Sequence, residues 1–537
     1  MKLKLLLLIC GLSINSIAIS QSNIPVGSWR THNSFNSLIA LASNNDHLFA
    51  ATKNALFEYD PASSESNTIT SLSGLADTDI TAIDYNSETE TLVISYRNGN
   101  IDLLRDNQIT NFPELLKADI SASKEINHIY NSTQFSYLSA DFGVMIIDLA
   151  NSQVKETLFE LGPQGQSIII YASTISNDSL YLATEIGVMR GSLQDNLKDF
   201  NQWKFFGVTD GLPNSNSKII LTTPNGLITA VDNAGIFEYD GNSWQNKNLL
   251  TQANFIHGSQ DGVITLLTTP DSVYQYASDI LTSITSNLIK EPKATISTAG
   301  KTWVADNENG IVSVTNGTVV YPNGPYSNNV IGLYSYKNSI IAFPPAYDGS
   351  FQPLRDKLGF FLFNDGIWQN YNSTGNPKTE QIPEFYDITD ASYSSTDESL
   401  YLSSFGYGLL KIRNGASEII DENTPGSTLI NTGPPQRNVQ ITSLDVVGSD
   451  LSIINFSASQ SLHIHNTSAD TWQALSPGLP SSKSTQIINM GNGTYWMQIA
   501  HIYGGGIKIY DAVNQRELYL TDLEVSGNLP DNKVYSM

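Results

Sequence analysis

The chain has 537 residues, of which 40% are hydrophobic and 15% charged, and a formal net charge of −24. That length implies two or more domains. The charge excludes a nucleic-acid footprint and a general attraction to anionic membrane surfaces, though not a local basic pocket. The abundant Gly, Ser, Asn and Thr favour short strands and many turns over helices.

The chain opens on an expected export signal, residues 1–20. Lys2 and Lys4 precede an apolar run over 5–12, and Ala18-Ile19-Ser20 has the small-x-small form of a cleavage site. The single cysteine, Cys10, lies inside this segment. Ile9 and the shortness of the apolar run before it argue against a lipidation site. Cleavage before Gln21 leaves no cysteine for a disulfide, a thiolate or a metal site. No later run of 18 apolar residues occurs, so no spanning helix is expected.

From residue 38 onward the sequence repeats itself. Ala55-Leu56-Phe57-Glu58-Tyr59-Asp60 returns as Gly235-Ile236-Phe237-Glu238-Tyr239-Asp240, and the TyrLeu…GlyVal stretch at 137–144 returns at 181–188 and 401–409. Each unit reads as two strands, a tight Gly turn, a third strand and a more polar fourth. Several of the fourth strands carry a tryptophan, as at Trp203, Trp244, Trp368 and Trp472. The turn position falls at Ala55, Gly99, Gly143, Gly187, Gly235, Ser272, Gly310, Gly359, Gly408, Ser461 and Gly506. A four-stranded period near 40–45 residues marks β-propeller blades.

Seven turns up to Gly310 predict a seven-bladed propeller over 21–325. A partial second propeller follows over 326–537, with about four blades and the start of a fifth. The connections Gly74-Leu75, Gly211-Leu212-Pro213, Gly478-Leu479-Pro480 and Asn528-Leu529-Pro530 each lead toward an inner strand. The last one reaches Lys533–Met537 and the sequence ends there. The expectation is a piece of a longer protein with about three blades to come; the alternative is a five-bladed second ring with a degenerate last blade. Residues 28–32 resemble a Trp-bearing outer strand. They close either the first ring or the last blade of the second, and the second option makes the first ring an insertion.

Chemistry is sparse. No nucleophile elbow, Walker loop or zinc-protease motif occurs, and no cofactor motif is present. His463 and His465 face one way on a strand, but no third ligand is near in sequence, and they read as ordinary surface histidines. Asp306-Asn307-Glu308-Asn309-Gly310 lacks the spacing of a calcium loop and reads as a turn. A glycosidase-type carboxylate pair is neither located nor excluded among 52 acidic residues. Propellers bind ligands at the channel mouth, where the turns between second and third strands converge. Lys53, Arg97, Phe142, Glu185, Asp232, Asn307 and Phe405 occupy those turns and are the candidate ligand-binding residues.

The stretch Pro25-Val26-Gly27-Ser28-Trp29-Arg30-Thr31-His32, the strand at 38–42 and Leu48-Phe49-Ala50-Ala51-Thr52-Lys53-Asn54-Ala55-Leu56-Phe57 resemble the start of the PorZ family of the type IX secretion system. The Gly-Leu-Pro connections also resemble the broader two-component-regulator propeller repeat. The PorZ resemblance implies two seven-bladed propellers and a C-terminal β-sandwich. It implies an exported, non-catalytic surface subunit acting with the sortase PorU, the barrel protein PorV and PorQ. Such a subunit binds anionic lipopolysaccharide and presents it to the sortase, and the acidic net charge then calls for a local basic patch, a bridging cation or an uncharged sugar portion. Two alternatives stand beside it: the periplasmic sensor of a hybrid histidine kinase, and a propeller carbohydrate-active enzyme.

Overall fold

The structure, a computed structural model, describes residues 27–432, 438–523 and 529–537; the expected export signal at 1–20 lies outside them. Among the described residues the chain is all-β and forms two tandem rings of mostly antiparallel sheets, the pairing of Ile367–Asn372 with Glu380–Gln381 being parallel. The first blade runs from inside to outside as Ala40–Ser43, Leu48–Ala51, Leu56–Asp60 and Glu65–Ile69. Six more blades follow with inner strands Ile80–Asn86, Ile126–Ser132, Ile170–Ser176, Ser217–Thr223, His257–Asp261 and Pro292–Thr298. The seventh meets the first, where Ser43 Oγ donates to Thr298 Oγ1 at 3.2 Å.

Burial explains the sequence pattern. Both faces of a blade are covered by its neighbours, so middle strands need not alternate. Thr91–Tyr96 is buried at every position, whereas the outer Glu65–Ile69 is exposed at all but its last. The apolar cores therefore lie between blades. One joins Leu48, Ala50 and Phe57 of the first blade to Ala294, Trp303 and Ile311 of the seventh, and so closes the ring. Trp303 is 2% exposed, and burying a side chain of that size contributes on the order of 3 kcal/mol.

The recurrent glycine has a physical cause. Gly143 starts its third strand at φ +135°, and a Cβ there would lie 2.0 Å from the Leu158 carbonyl oxygen of the fourth strand. Gly359 meets Tyr371 in the same way, with 1.8 Å. Only a residue without a Cβ fits both the backbone angle and the passing carbonyl.

The second ring has inner strands Gly332–Tyr336, Ile388–Ser394, Val439–Val447 and Ser484–Asn489. Four blades are complete, and residues 529–537 run along the fourth: Leu529 N–H donates to Thr521 O at 2.9 Å and Met537 N–H to Gln486 Oε1 at 3.0 Å.

The two rings meet at Asn36. Its carbonyl accepts the Gly310 N–H of blade seven at 2.9 Å. Its amide donates to Tyr326 O in the connecting segment at 2.7 Å, and its Oδ1 accepts Lys378 Nζ of the second ring at 3.0 Å. Blade seven already has its own outer strand, Thr318–Val320. Residues 28–32 do not close it and lie against the second ring instead. Trp368 Nε1 donates to His32 Nδ1 at 3.0 Å, and the Arg30 guanidinium stands 5.5 Å from the Phe363 ring centroid. Trp29 itself is 84% exposed.

Candidate functional site

The candidate turn residues ring the end of the first channel where the inner strands begin. The backbone N–H groups of Arg97, Glu185, Asp232 and Asn307 donate to Asp79, Ile169, Asn216 and Glu291, each just before the inner strand of the same blade. The Lys53 carbonyl accepts from Ile80 of the next blade. Their side chains differ in what they do. The Arg97 guanidinium is shared between Asp79 and Glu125. Glu185 Oε1 accepts Ile169 N–H, Asp232 Oδ1 accepts Phe255 N–H, and Asn307 Nδ2 donates to Glu291 Oε2. Lys53 is exposed, and Phe142 is buried against Phe159. The channel, of about 530 Å³, is lined by the seven inner strands and not by these six side chains.

Within the channel stand Asp84, His128 and His257. Burial pushes the Asp84 carboxyl up to about 7, although Asn131 Nδ2 donates to it at 2.9 Å. Burial pushes both imidazoles down to about 4, and His128 adds to the effect on His257. The lining thus holds two imidazoles kept neutral by burial, the Asp84 carboxyl and Lys293, which is paired with Glu291.

A feature of the mouth that sequence reasoning missed is a bulge near the start of most inner strands. The register slips between Ile80 and Ala82, Ser217 and Ile219, Pro292 and Ala294, Ile388 and Asp390, and Ile441 and Ser443. A bulge re-aims the extra side chain. Lys218 then stands 3.3 Å from the Tyr171 ring centroid, and Thr389 and Thr442 donate across to Ile441 O and Ser484 O of the next blades.

The second ring differs at the same end. Between Ser339–Phe343 and Phe360–Asn364 the usual short turn is replaced by a long loop, 344–359, lying over the mouth. Phe351 holds φ +58° and Arg355 φ +57°, both in the left-handed region. Asp387 secures the loop, its two oxygens accepting the N–H groups of Arg355 and Asp356 at 3.0 Å each. Burial pushes that carboxyl up to about 6.

Phe351 stacks on Tyr347 at 4.8 Å and on Phe456 at 4.7 Å, with Phe405 and Tyr503 beside it. Phe405 and Phe456 are buried as the floor, while Tyr503 is 39% exposed. Lys483 Nζ lies 4.9 Å from the Phe456 and 4.6 Å from the Tyr503 ring centroid. It donates to Ser457 Oγ at 2.7 Å, and burial lowers its pKa. Lys357 stands 5.4 Å from the Tyr386 ring, and Arg355 and Glu384 share the rim. The basin above this floor measures about 810 Å³, and Phe351 separates it from a second space of about 780 Å³ lined by Thr389, Thr442 and Thr485. Of the candidate residues, Phe405 alone belongs to this basin. Tyr503 precedes Gly506 by the same three residues that separate Phe405 from Gly408, a sequence signal that could have found it.

His463 and His465 are not surface residues: they are 0% and 2% exposed. Thr428 Oγ1 lies 2.9 Å from His463 Nδ1, and His465 stacks on Trp472 at 4.3 Å and meets Asp470 at 2.9 Å. The strand packs that face against its neighbour, so both rings serve the core. Asp306 forms the expected turn, accepting the N–H groups of Lys290, Glu291, Glu308 and Asn309. Among the described residues no three His, Cys, Asp or Glu side chains could hold a metal ion.

This is a tandem propeller whose incomplete second ring carries an aromatic, cation-bearing mouth. Residues 48–204 match the family model of the N-terminal β-propeller domain of PorZ from the type IX secretion system. The chain is PorZ-like in fold over both rings. The solved structure of PorZ from Porphyromonas gingivalis, an essential bacterial surface component of that system, matches at TM-score 0.77 and 17% identity, covering 95% of this chain and 70% of that one. The extracellular domain of a putative one-component system from B. thetaiotaomicron matches at TM-score 0.41 and 13% identity, covering 93% of this chain and 68% of that one. Among curated proteins none matches. No helix among the described residues is long and apolar enough to cross a membrane.

Proposed function

We propose that the protein is a non-catalytic, exported subunit of a type IX secretion attachment complex, held at the cell surface. It binds anionic lipopolysaccharide there and presents it to the sortase that joins cargo to that anchor, in company with PorV- and PorQ-like proteins. The observation that carries this reading is the PorZ match, by sequence over 48–204 and by fold over 95% of the chain. The acidic net charge of −24 does not exclude it, because Arg355 and Lys357 line one basin, beside Glu384 and Asp387, and Lys483 lies against its Phe456 floor. The test is deletion of the gene in its host. Cargo should keep its C-terminal signal and leave the surface, and the protein should co-purify with the sortase. Normal cargo processing in the deletion strain would reject the reading. A lost transcriptional response to a glycan in its place would favour a sensor.

A further inference from the structure

We propose that the basin of the second ring is a sugar-binding site for an acidic glycan, with pyranose rings on its aromatic walls and the anionic substituent at Lys483 and the rim cations. This rests on the reading above and assigns it a place. Among the described residues the first ring offers no comparable aromatic surface: Arg97, Glu185, Asp232 and Asn307 are engaged by neighbouring carboxylates and backbone, Phe142 is buried against Phe159, and Lys53 stands exposed without an aromatic ring contact.

Three features select the ligand class. The accessible rings, Phe351 and Tyr503, are held in place by the buried Phe405 and Phe456 beneath them, with Phe351 4.7 Å from Phe456, 6.2 Å from Phe405 and 5.8 Å from Tyr503. Rigid ring faces with polar tips, here Tyr386 and Tyr503, bury an apolar face while leaving hydroxyls paired, which suits a sugar. Lys483 is a partly buried cation over two ring faces, with one of its three donors used by Ser457. Among the described residues neither it, Arg355 nor Lys357 forms an ion pair with a carboxylate. Two carboxylates line the basin with these cations: Asp387 has both oxygens turned to the loop backbone, and Glu384 Oε1 accepts the Tyr386 hydroxyl at 3.1 Å. The volume of about 810 Å³ lies within the ordinary range for small-ligand sites.

The experiment titrates the purified chain calorimetrically at physiological salt with three probes: dextran, dextran sulfate fragments and polyphosphate. Dextran sulfate should bind more tightly than either the neutral glucan or the anion without sugar rings. Tyr503→Ala and Lys483→Gln should each weaken it about tenfold, a loss of one stacking or cation contact. Lys117→Gln, on the exposed surface of the first ring, should leave it unchanged. Tyr503 is exposed, so its loss does not open the core, and Phe351→Ala provides a second variant whose melting curve reports folding separately. No binding by the wild type, equal loss in Lys117→Gln, or no loss in Tyr503→Ala overturns the proposal. The functional reading fails separately. Wild-type binding to extracted lipopolysaccharide that the basin variants leave intact rejects this site and keeps the function. Normal cargo processing without the gene rejects the function, whatever the basin binds.

Discussion

Lys378 is 6% exposed at the junction of the two rings, with Asn36 Oδ1 at 3.0 Å and the Tyr321 ring 4.0 Å away. Burial pulls its pKa from 10.5 down to about 6, with Asp306 opposing. Between those two values the folded protein holds the amine neutral while the unfolded chain keeps it charged. The unfolded state then binds one more proton, so stability rises with pH across that window, by about 1.4 kcal/mol per unit. From pH 7 to pH 9 the gain is about 2.7 kcal/mol. Lys378→Met keeps the volume and removes the charge, but leaves Asn36 Oδ1 without its donor at a cost of about 1–3 kcal/mol. The variant should therefore be the more stable protein at pH 7 and the less stable one near pH 10. Urea unfolding of both proteins at pH 7, 8, 9 and 10, followed by tryptophan fluorescence, measures this. Other titrating groups cancel in the difference. Parallel curves for the two proteins would refute the assignment of a neutral lysine.

Asn36→Ala strips Lys378 and Tyr326 of a partner at once and should destabilise by about 3–5 kcal/mol, with faster proteolysis of 321–331 as the readout. Gly143→Ala should cost about 2–4 kcal/mol in thermal unfolding, because its Cβ would sit 2.0 Å from Leu158 O. Gly300→Ala, at φ +70° in open space, should cost about 1 kcal/mol. The Asp84 carboxyl, raised to about 7, binds its proton in the folded state before the unfolded one does, so it adds stability as pH falls from 7 toward 4. Asp84→Asn should lose that gain. His128, lowered to about 4, works in the opposite sense below pH 6.5, and His128→Gln should steepen the wild-type gain.

Blade number and order were legible because one constraint recurs: a carbonyl from the fourth strand crowds the first residue of the third, and glycine marks the spot. Gly99 instead meets the Lys124 and Leu115 side chains, and three turns lack glycine: at Ala55 and Ser272 the Thr52 and Thr269 hydroxyls donate to the carbonyl three residues on, and at Ser461 the hydroxyl lies 3.0 Å from Ser481 Oγ. The basin was not legible as a site. Of its aromatic residues only Phe405 and Tyr503 share a spacing to the turn glycine; Phe351 and Phe456 follow no such rule, and the loop showed only as a longer interval before Gly359. The bulges were invisible for a related reason, since an extra residue in a strand leaves composition unchanged. His463 and His465 misled because their polarity suggests surface, while stacking on Trp472 and a bond to Thr428 make burial tolerable.

Asn36 has a temporal implication. Every blade of the first ring is contiguous in sequence, and among the described residues no strand is exchanged to lock the first blade to the seventh. The apolar core between those blades is supplemented by a short segment before the first blade, gripped by Gly310, then Tyr326, then Lys378. These three partners emerge during synthesis in that order, the last after more than half the chain. The core between blades one and seven can close once blade seven is made, and the Lys378 tie is added afterwards, when that part of the second ring is present.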